Sequence, residues 1–419
     1  MALSRIAGTV EYGAGCTFTD IIIDTLVPFF NVMDYGAHAD GTTDDVAHIQ
    51  SAITAAGSAP VYFPPGDYYL ASRLTVPSYA NLIGSGSTAW IKGPISAGSN
   101  GSFTDLKLGA TGQCFSLKTI SGTTFARCRF TGGGGTDVGG NNPNPAIMVC
   151  IGGPWQGVNW TVSGITFDNC YFEANAGTPA SGHEADNFVN VAIKASPLSG
   201  ETSVHDIAFN NCEWAIDGHH FAIEMWVDYT NATRSQNAFY NIDFDGCTFY
   251  PGECASIDYS GMARTDNGAP SGGYSTVKNC RFYGHGYGPS PQWNGNVIVE
   301  KGAANVIVQD CTFSDGREAV VYFQAPGPNT MHGCTIDGTD DPYSIVHSSW
   351  SPYFVNNGGA GCTITDNVIT HSADAGAYVF QSTGDNCVIT SNTVTGGDPT
   401  DNWTVSGSGN TVSGNTVSP

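Results

Sequence analysis

Three carboxylates stand at matching places in three short apolar runs: Phe221-Ala-Ile-Glu224, Ala255-Ser-Ile-Asp258 and Val297-Ile-Val-Glu300. If the runs stack as neighbouring strands, the acids form a column with rungs about 5 Å apart and ends about 10 Å apart. Paired carboxylates hydrolyse glycosides with retention at about 5–5.5 Å and with inversion at about 6.5–9.5 Å. The column offers both separations. Like charges crowded on adjacent strands push one another toward the protonated form, which suits a general acid. The competing reading is a solvated acidic face or a cation site. Against it, like charges directly opposite one another destabilise a sheet, so three in a row need compensation. Lys194, in Val191-Ala-Ile-Lys194, supplies part of it.

The same register continues through Val320-Val-Tyr-Phe323, Ser344-Ile-Val-His347 and Tyr378-Val-Phe-Gln381. The third residue of each run is apolar or aromatic and points inward. The fourth then points outward, because strand neighbours face opposite sides. Phe323, His347 and Gln381 thereby join Lys194, Glu224, Asp258 and Glu300 in one external column. Trp226 lies two residues after Glu224 and shares its face. His219 and His220 precede it, Tyr229 and Tyr259 are near in sequence, and Trp293 sits in a Gly/Pro-rich stretch before the Glu300 run. Aromatic rings with a polar edge stack on the apolar faces of sugars. The substrate-binding candidates are Lys194, His219, His220, Trp226, Trp293 and His347. The His pair has no third ligand at metal spacing, so no zinc site is expected.

The elements that must hold these groups are legible as repeats. Ile165-Thr-Phe167-Asp-Asn-Cys170-Tyr-Phe172 returns as Ile207-Ala-Phe209-Asn-Asn-Cys212-Glu-Trp214 and Ile242-Asp-Phe244-Asp-Gly-Cys247-Thr-Phe249. Weaker copies centre on Cys128, Cys280, Cys311 and Cys334, and Asn367, Asn392 and Asn415 take the Cys slot in the last three. Copies are 23 to 42 residues apart. Period-2 alternation within each copy predicts short strands, and the Gly, Asn or Asp between them predicts turns. No stretch between copies reads as an amphipathic helix, so a βαβ fold is excluded. A period near 23 with variable insertions predicts an all-β parallel β-helix, with coils about 4.8 Å apart and insertions emerging as loops. The Cys and Asn slots would form a ladder along the stack. Cys neighbours come near disulfide distance, but one Cys cannot bond both. The seven ladder Cys therefore read as small buried fillers. Long loops are predicted at about 173–190, 228–240 and 261–274, walling a central groove with the carboxylates on its floor.

Composition agrees. The 419 residues include 54 Gly and 21 Pro, are 41% apolar and only 12% charged, and carry a formal charge of −23. Disorder is excluded by the apolar content. Nucleic-acid binding is disfavoured, because it calls for a basic footprint. No membrane partner is expected: the apolar stretch 21–30 is interrupted by Asp24 and falls well short of a span of about 20 residues. No secretory signal is visible, so the 13 Cys read as reduced, and the protein as made in the cytoplasm. The chain divides into an N-terminal arm or linker at 1–30, a capping helix with the first coils at 31–100, and a β-helix body at 101–419.

Residues 31–70 are the most specific part. Thr43 or Asp44 can cap a helix running to about Ala56, with Val46, Ile49, Ala52 and Ile53 as its apolar stripe. Such a helix would cover the open end of a solenoid. Val61, Tyr62 and Phe63 then start a strand ended by Pro64-Pro65-Gly66. Asp34-Tyr-Gly36, Asp40-Gly41-Thr-Thr-Asp44-Asp45, Ile49-Gln50 and Val61-Tyr-Phe-Pro-Pro-Gly66 resemble the N-terminal module of the pectate-lyase-like, right-handed parallel β-helix superfamily. That superfamily includes polygalacturonase-like hydrolases and bacteriophage tailspike depolymerases. The acids of this module read as caps and turns rather than catalysts. Gly284-His285-Gly286 matches one element of the polygalacturonase pattern, but the others are missing, so it reads as a loop and that mechanism is not carried over. The calcium-dependent pectate lyase pattern is not evident either.

The resemblance implies a polysaccharide depolymerase of tailspike type, most simply a glycoside hydrolase without a cofactor; tailspike active residues do not transfer by motif, so Glu224, Asp258 and Glu300 are assigned from the register of the runs instead. A lyase acting on a uronate polymer is the alternative, with Lys194, His219, His220 or His347 as base and Ca2+ held by the acidic column. A third reading is a spike that grips glycans without cleaving them. Resemblance to tailspikes also implies a homotrimer, and a virion tail component or a protein acting outside the cell.

Overall fold

The computed structural model describes residues 10–12, 16–18, 29–110, 115–117, 119–132, 147–152, 161–174, 188–195, 203–215, 220–227, 239–250, 256–260, 274–285, 295–300, 306–316, 319–323, 328–338, 353–357, 361–371, 378–382, 384–396 and 403–418. Each coil contributes up to three short strands, one to each of three faces. In one coil these are Thr161–Asp168, Tyr171–Ala174 and Phe188–Ala195. In the next they are Ser203–Asn210, Glu213–Ala215 and His220–Val227. Every strand of these two coils pairs parallel with its counterpart in the other. Near the N-terminus, Asn81–Lys92 and Ser102–Ala110 run unbroken through the first and second faces. The third face is a separate sheet of 12 strands, from Leu74–Thr75 to Trp403–Val405. This is the expected parallel β-helix.

The repeat motif is the corner between the first and second faces. The residue before each ladder position turns the chain in the left-handed region, at φ 52° for Asn169, 51° for Asn211, 65° for Gly246 and 55° for Asn279. Asn, Asp and Gly take this conformation most cheaply, which is why they recur there. Arg127 and Ser391 are the costly exceptions, at φ 51° and 58°, and the Arg127 guanidinium grips Asp105 of the preceding coil through two 2.7 Å bonds.

The next residue is the Cys or Asn. Backbone bonds join these positions in one continuous ladder, with Cys128 O accepting from Tyr171 N at 2.9 Å and Asn392 O from Thr416 N at 2.8 Å. The thiols also have a polar task. Cys170 Sγ donates to Phe125 O at 3.4 Å and Cys247 Sγ to Phe209 O at 3.2 Å. Asn392 Nδ2 donates to Ile364 O at 3.0 Å from the equivalent place. The amide does more, because Asn392 Oδ1 accepts from both Asn367 N and Asn367 Nδ2. Asn thus adds bonds in the final coils, where Thr411–Ser413 is exposed throughout.

Burial pushes the Cys128 and Cys311 thiols well above their ordinary range, keeping the proton they donate. A second corner carries Cys362 and Cys387 in line with Asn329 and Asn410, which the sequence repeat did not disclose. Nine buried Cys among the described residues form no disulfide. Denatured, unreduced protein is therefore expected to expose at least nine thiols to a thiol-specific reagent; a smaller count would show that ladder neighbours are oxidised.

The core is two columns of stacked rings. Phe103, Phe125, Phe167, Phe209 and Phe244 stack at 4.8–4.9 Å. Phe130, Phe172, Trp214, Phe249, Phe282 and Phe313 stack at 4.6–4.9 Å. These separations match the coil rise, so one aromatic per coil at a fixed register builds each column.

The N-terminal end is closed by a helix, Val46–Ala56, which buries Ile49, Ala52 and Ile53 against the strands Phe30–Asn31 and Pro60–Phe63. Full burial of each Ile is worth about 1.5–3 kcal/mol. The helix starts later than the sequence predicts, because Asp40–Asp44 pairs as a strand with Gly66–Tyr69. Asp45 is the N-cap residue, but its buried carboxylate accepts from His38 N and Ala39 N instead of capping. Asp44 Oδ1 takes Val46 N at 3.2 Å. Asp40 closes a turn through Thr42 and Thr43 and is held well below the usual carboxylate range, first by the Thr43 hydroxyl. These acids are structural, as expected.

On the first face, burial pushes the Asp243 carboxyl up, and bonds from Thr276 N and Oγ1 at 2.9 and 2.7 Å pull it only part of the way back. The folded state then holds this proton to higher pH than the unfolded chain does. The contribution of Asp243 to stability is full below the ordinary value of 3.8 and declines as pH rises through the raised value. Asp243→Asn is expected to remove that decline, so its melting temperature should gain on the wild type from acid to neutral pH. A constant difference across the series would exclude the assignment.

Candidate functional site

The third face carries the carboxylates. Ile223, Ile257, Val297 and Val321 share one register line and are all buried, with Val355 and Phe380 continuing it. Met225 and Tyr259 are also buried. Alternation places the line between them on the outer side. That line reads Ala192, Glu224, Asp258, Ile298, Tyr322, Asn356 and Gln381. Glu224 and Asp258 are therefore lateral neighbours, one rung of about 4.8 Å apart. Gln381 also holds its expected place.

Four expectations change. Glu300 pairs with Ser260, not Asp258, so it lies diagonally from Asp258 at about 8 Å between Cα positions. Lys194 pairs with Trp226, while Ala192 is the neighbour of Glu224. Lys194 and Glu300 thus belong to the adjacent line. Both errors are slips of two residues, which leave the inward and outward pattern unchanged and so are invisible to it. Phe323 is buried and Tyr322 takes the outer line, because burying the phenyl ring outweighs the simple motif alignment. The strand that follows Ala319–Phe323 is Tyr353–Asn357 rather than 344–347.

His347, His219 and Trp293 lie outside the described residues. For Lys194, His220, Glu224, Trp226 and Glu300 the backbone register is described and the side chains are not. The predicted loops 228–240 and 261–274 lie mostly outside too. Gly284 and His285 end the strand Arg281–His285 on the second face, away from the carboxylates, rather than forming a loop.

Asp258 has an environment of its own. It sits on the outer side of the sheet yet is only 4% exposed. A carboxylate on a solvated acidic face would not be so buried. Ser256 and Asn296, two residues earlier on the paired strands, are also buried, and Ser256 Oγ meets Asn296 Oδ1 at 3.3 Å. Asn296 Nδ2 is buried and has no hydrogen-bond partner among the described residues. Sequence reasoning passed over this pair: Ser256 stands two residues before Asp258, but Ala222 and Ile298 take that place before Glu224 and Glu300, so no shared pattern marks it. Tyr259 backs the site from the core, its hydroxyl on Ile242 O at 3.3 Å, and burial keeps that hydroxyl protonated. Among the described residues no group of three or more His, Cys, Asp or Glu could hold a metal ion.

Residues 29–248 match the model of the family described as rhamnogalacturonase A/epimerase, pectate lyase-like. The chain belongs to that family. Residues 231–417 match the right-handed β-helix region, which extends the resemblance over the rest of this pectate lyase-like chain. A mannuronan C5-epimerase of Azotobacter vinelandii, AlgE3, is 42% identical over 67 residues, 14% of this chain and 4% of the relative. The chain thus matches only a small part of that enzyme's length. The surface adhesin PfbA of Streptococcus pneumoniae has a TM-score of 0.57 at 15% identity, covering 93% of this chain and 91% of the adhesin. The catalytic domain of Agl-KA has a TM-score of 0.52 at 12% identity, covering 95% of this chain and 71% of that one. At such identities both likenesses concern the fold of this pectate lyase-like protein alone.

Proposed function

We propose that this protein is a polysaccharide depolymerase of glycoside-hydrolase type, acting in a groove over the third sheet. The observation that carries the reading is the in-register pair Glu224 and Asp258, with Asp258 buried on the outer side of the sheet. One carboxylic acid protonates the glycosidic oxygen, and the other acts as nucleophile or as base toward water. The lateral pair stands at the rung spacing that suits retention, and the diagonal pair, Asp258 and Glu300, suits inversion. This chemistry calls for no cofactor. Assembly as a homotrimer, as in tailspikes, belongs to the same reading.

Incubation with a panel of purified polysaccharides, followed by mass spectrometry, tests it. Shortened saturated oligosaccharides, with the product anomer read by NMR, would support hydrolysis and identify the working pair. Intact polymer across a broad panel, with glycan bound, would favour the non-catalytic spike.

A second reading is favoured by the epimerase match. Lyases and C5-epimerases both remove the proton beside a uronate carboxyl group. A lyase leaves a conjugated double bond that absorbs in the ultraviolet. An epimerase leaves polymer length unchanged and alters the uronate composition.

A further inference from the structure

The second sheet carries an unusual set of side chains on its outer side. The register line Asp67, Trp90, Lys107, Arg129, Tyr171 crosses five successive coils. Lys92 lies one outward position further along the strand from Trp90. Both ammonium groups address the same indole: Lys107 Nζ is 3.7 Å and Lys92 Nζ 4.0 Å from the Trp90 ring centre. Arg129 lies over Tyr171 at 4.8 Å. Lys92 is paired with Asp67 at 2.5 Å and Arg129 with Glu173 at 2.7 Å. Lys107 makes no ion pair among the described residues.

Three cations therefore face two carboxylates, a local excess of positive charge on a chain whose formal charge is −23. The indole face offsets part of the repulsion between the lysines. Even so, burial and then Arg129 push the Lys107 ammonium below its ordinary value. A bound anion would relieve that cost.

We propose that this face binds an anionic polysaccharide, with Lys107 and Arg129 meeting carboxylates on the polymer and the Trp90 and Tyr171 rings supporting them. Lys107 and Arg129 are one rung apart, about 4.8 Å, comparable with the length of one pyranose residue. One carboxylate per sugar is a lower charge density than the one charge per about 1.7 Å of a nucleic-acid duplex, and so suits a patch with so small an excess of charge. A nucleic acid would meet strong repulsion from the rest of the chain. The site lies on a different sheet from Asp258. It rests on the reading of the chain as polysaccharide-acting, but not on which residues catalyse.

Binding of polygalacturonate and of a neutral glucan is to be measured by calorimetry on full-length Glu224→Gln protein, at low and high salt. The Lys107→Gln change and the double change Lys107→Gln with Arg129→Gln are added to that background. The expected result is polygalacturonate binding that weakens with salt, falls at least threefold in the single variant and at least tenfold in the double, and leaves any neutral-glucan binding unaltered. The single change breaks no described ion pair, so it reports even if the double variant folds poorly. Equal affinity in all three proteins, or no polygalacturonate binding, overturns the proposal. A self-association lost in the Lys107 variant also overturns it, by assigning the face to contact between copies. Because turnover is not read, failure of the carboxylate assignment leaves this result standing.

Discussion

Asp258→Asn is expected to lower depolymerisation by about 100- to 10,000-fold, the usual yield of a positioned acid or base, with the melting temperature unchanged. Glu224→Gln should do the same. Asn keeps the shape of Asp and can still accept hydrogen bonds, so the buried position tolerates it. What it loses is the ability to donate, take up or hold a proton, or to attack as an anion. Glu224 and Asp258 are one rung apart, so neither can replace the other: a lone carboxylate cannot act as acid and as nucleophile in the same step. Glu300→Gln separates the geometries. If the lateral pair works, Glu300→Gln keeps most of the activity; if the diagonal pair works, Glu300→Gln is dead and Glu224→Gln survives. Rates on the identified polymer, with thermal melts, check this. Full activity in both Asp258→Asn and Glu224→Gln removes the column from consideration.

Phe209→Ala is expected to destabilise the protein by about 3–5 kcal/mol. Phe209 is fully buried and stacks on Phe167 at 4.8 Å and on Phe244 at 4.9 Å. It also meets the edges of Phe172 and Trp214 across the core. Removing the ring leaves a gap in its own column and strips the edge contacts to the other, and backbone locked into sheets above and below cannot collapse into it. Coils touch only their neighbours, so the damage should propagate as earlier melting of the central coils, with the helix-capped N-terminal end less affected. Chemical denaturation with hydrogen exchange measures both parts. A loss below about 1 kcal/mol would mean that the stack is not a principal source of stability. Phe209→Leu should recover part of the loss.

The repeat was readable because each coil solves the same problem at the same point. A left-handed residue must turn the chain, a small polar residue must fill the corner, and an aromatic must stack two positions later. Asn169, Cys170 and Phe172 therefore announce themselves again as Asn211, Cys212 and Trp214. The third sheet has no such fixed corner ahead of it, since the connections from the second face vary in length. Its strands could be placed by inward and outward parity only.

Sequence by itself determined the parallel β-helix, the Cys and Asn ladder, the helical cap and the outward parity of Glu224, Asp258 and Glu300, because these follow from local turn chemistry and period-2 burial. Tertiary structure alone decided which of those acids are neighbours, that Asp258 is buried, and that Trp90, Lys92, Lys107 and Arg129 converge. Register between coils is set by the summed length of every intervening turn, and no single strand carries that sum.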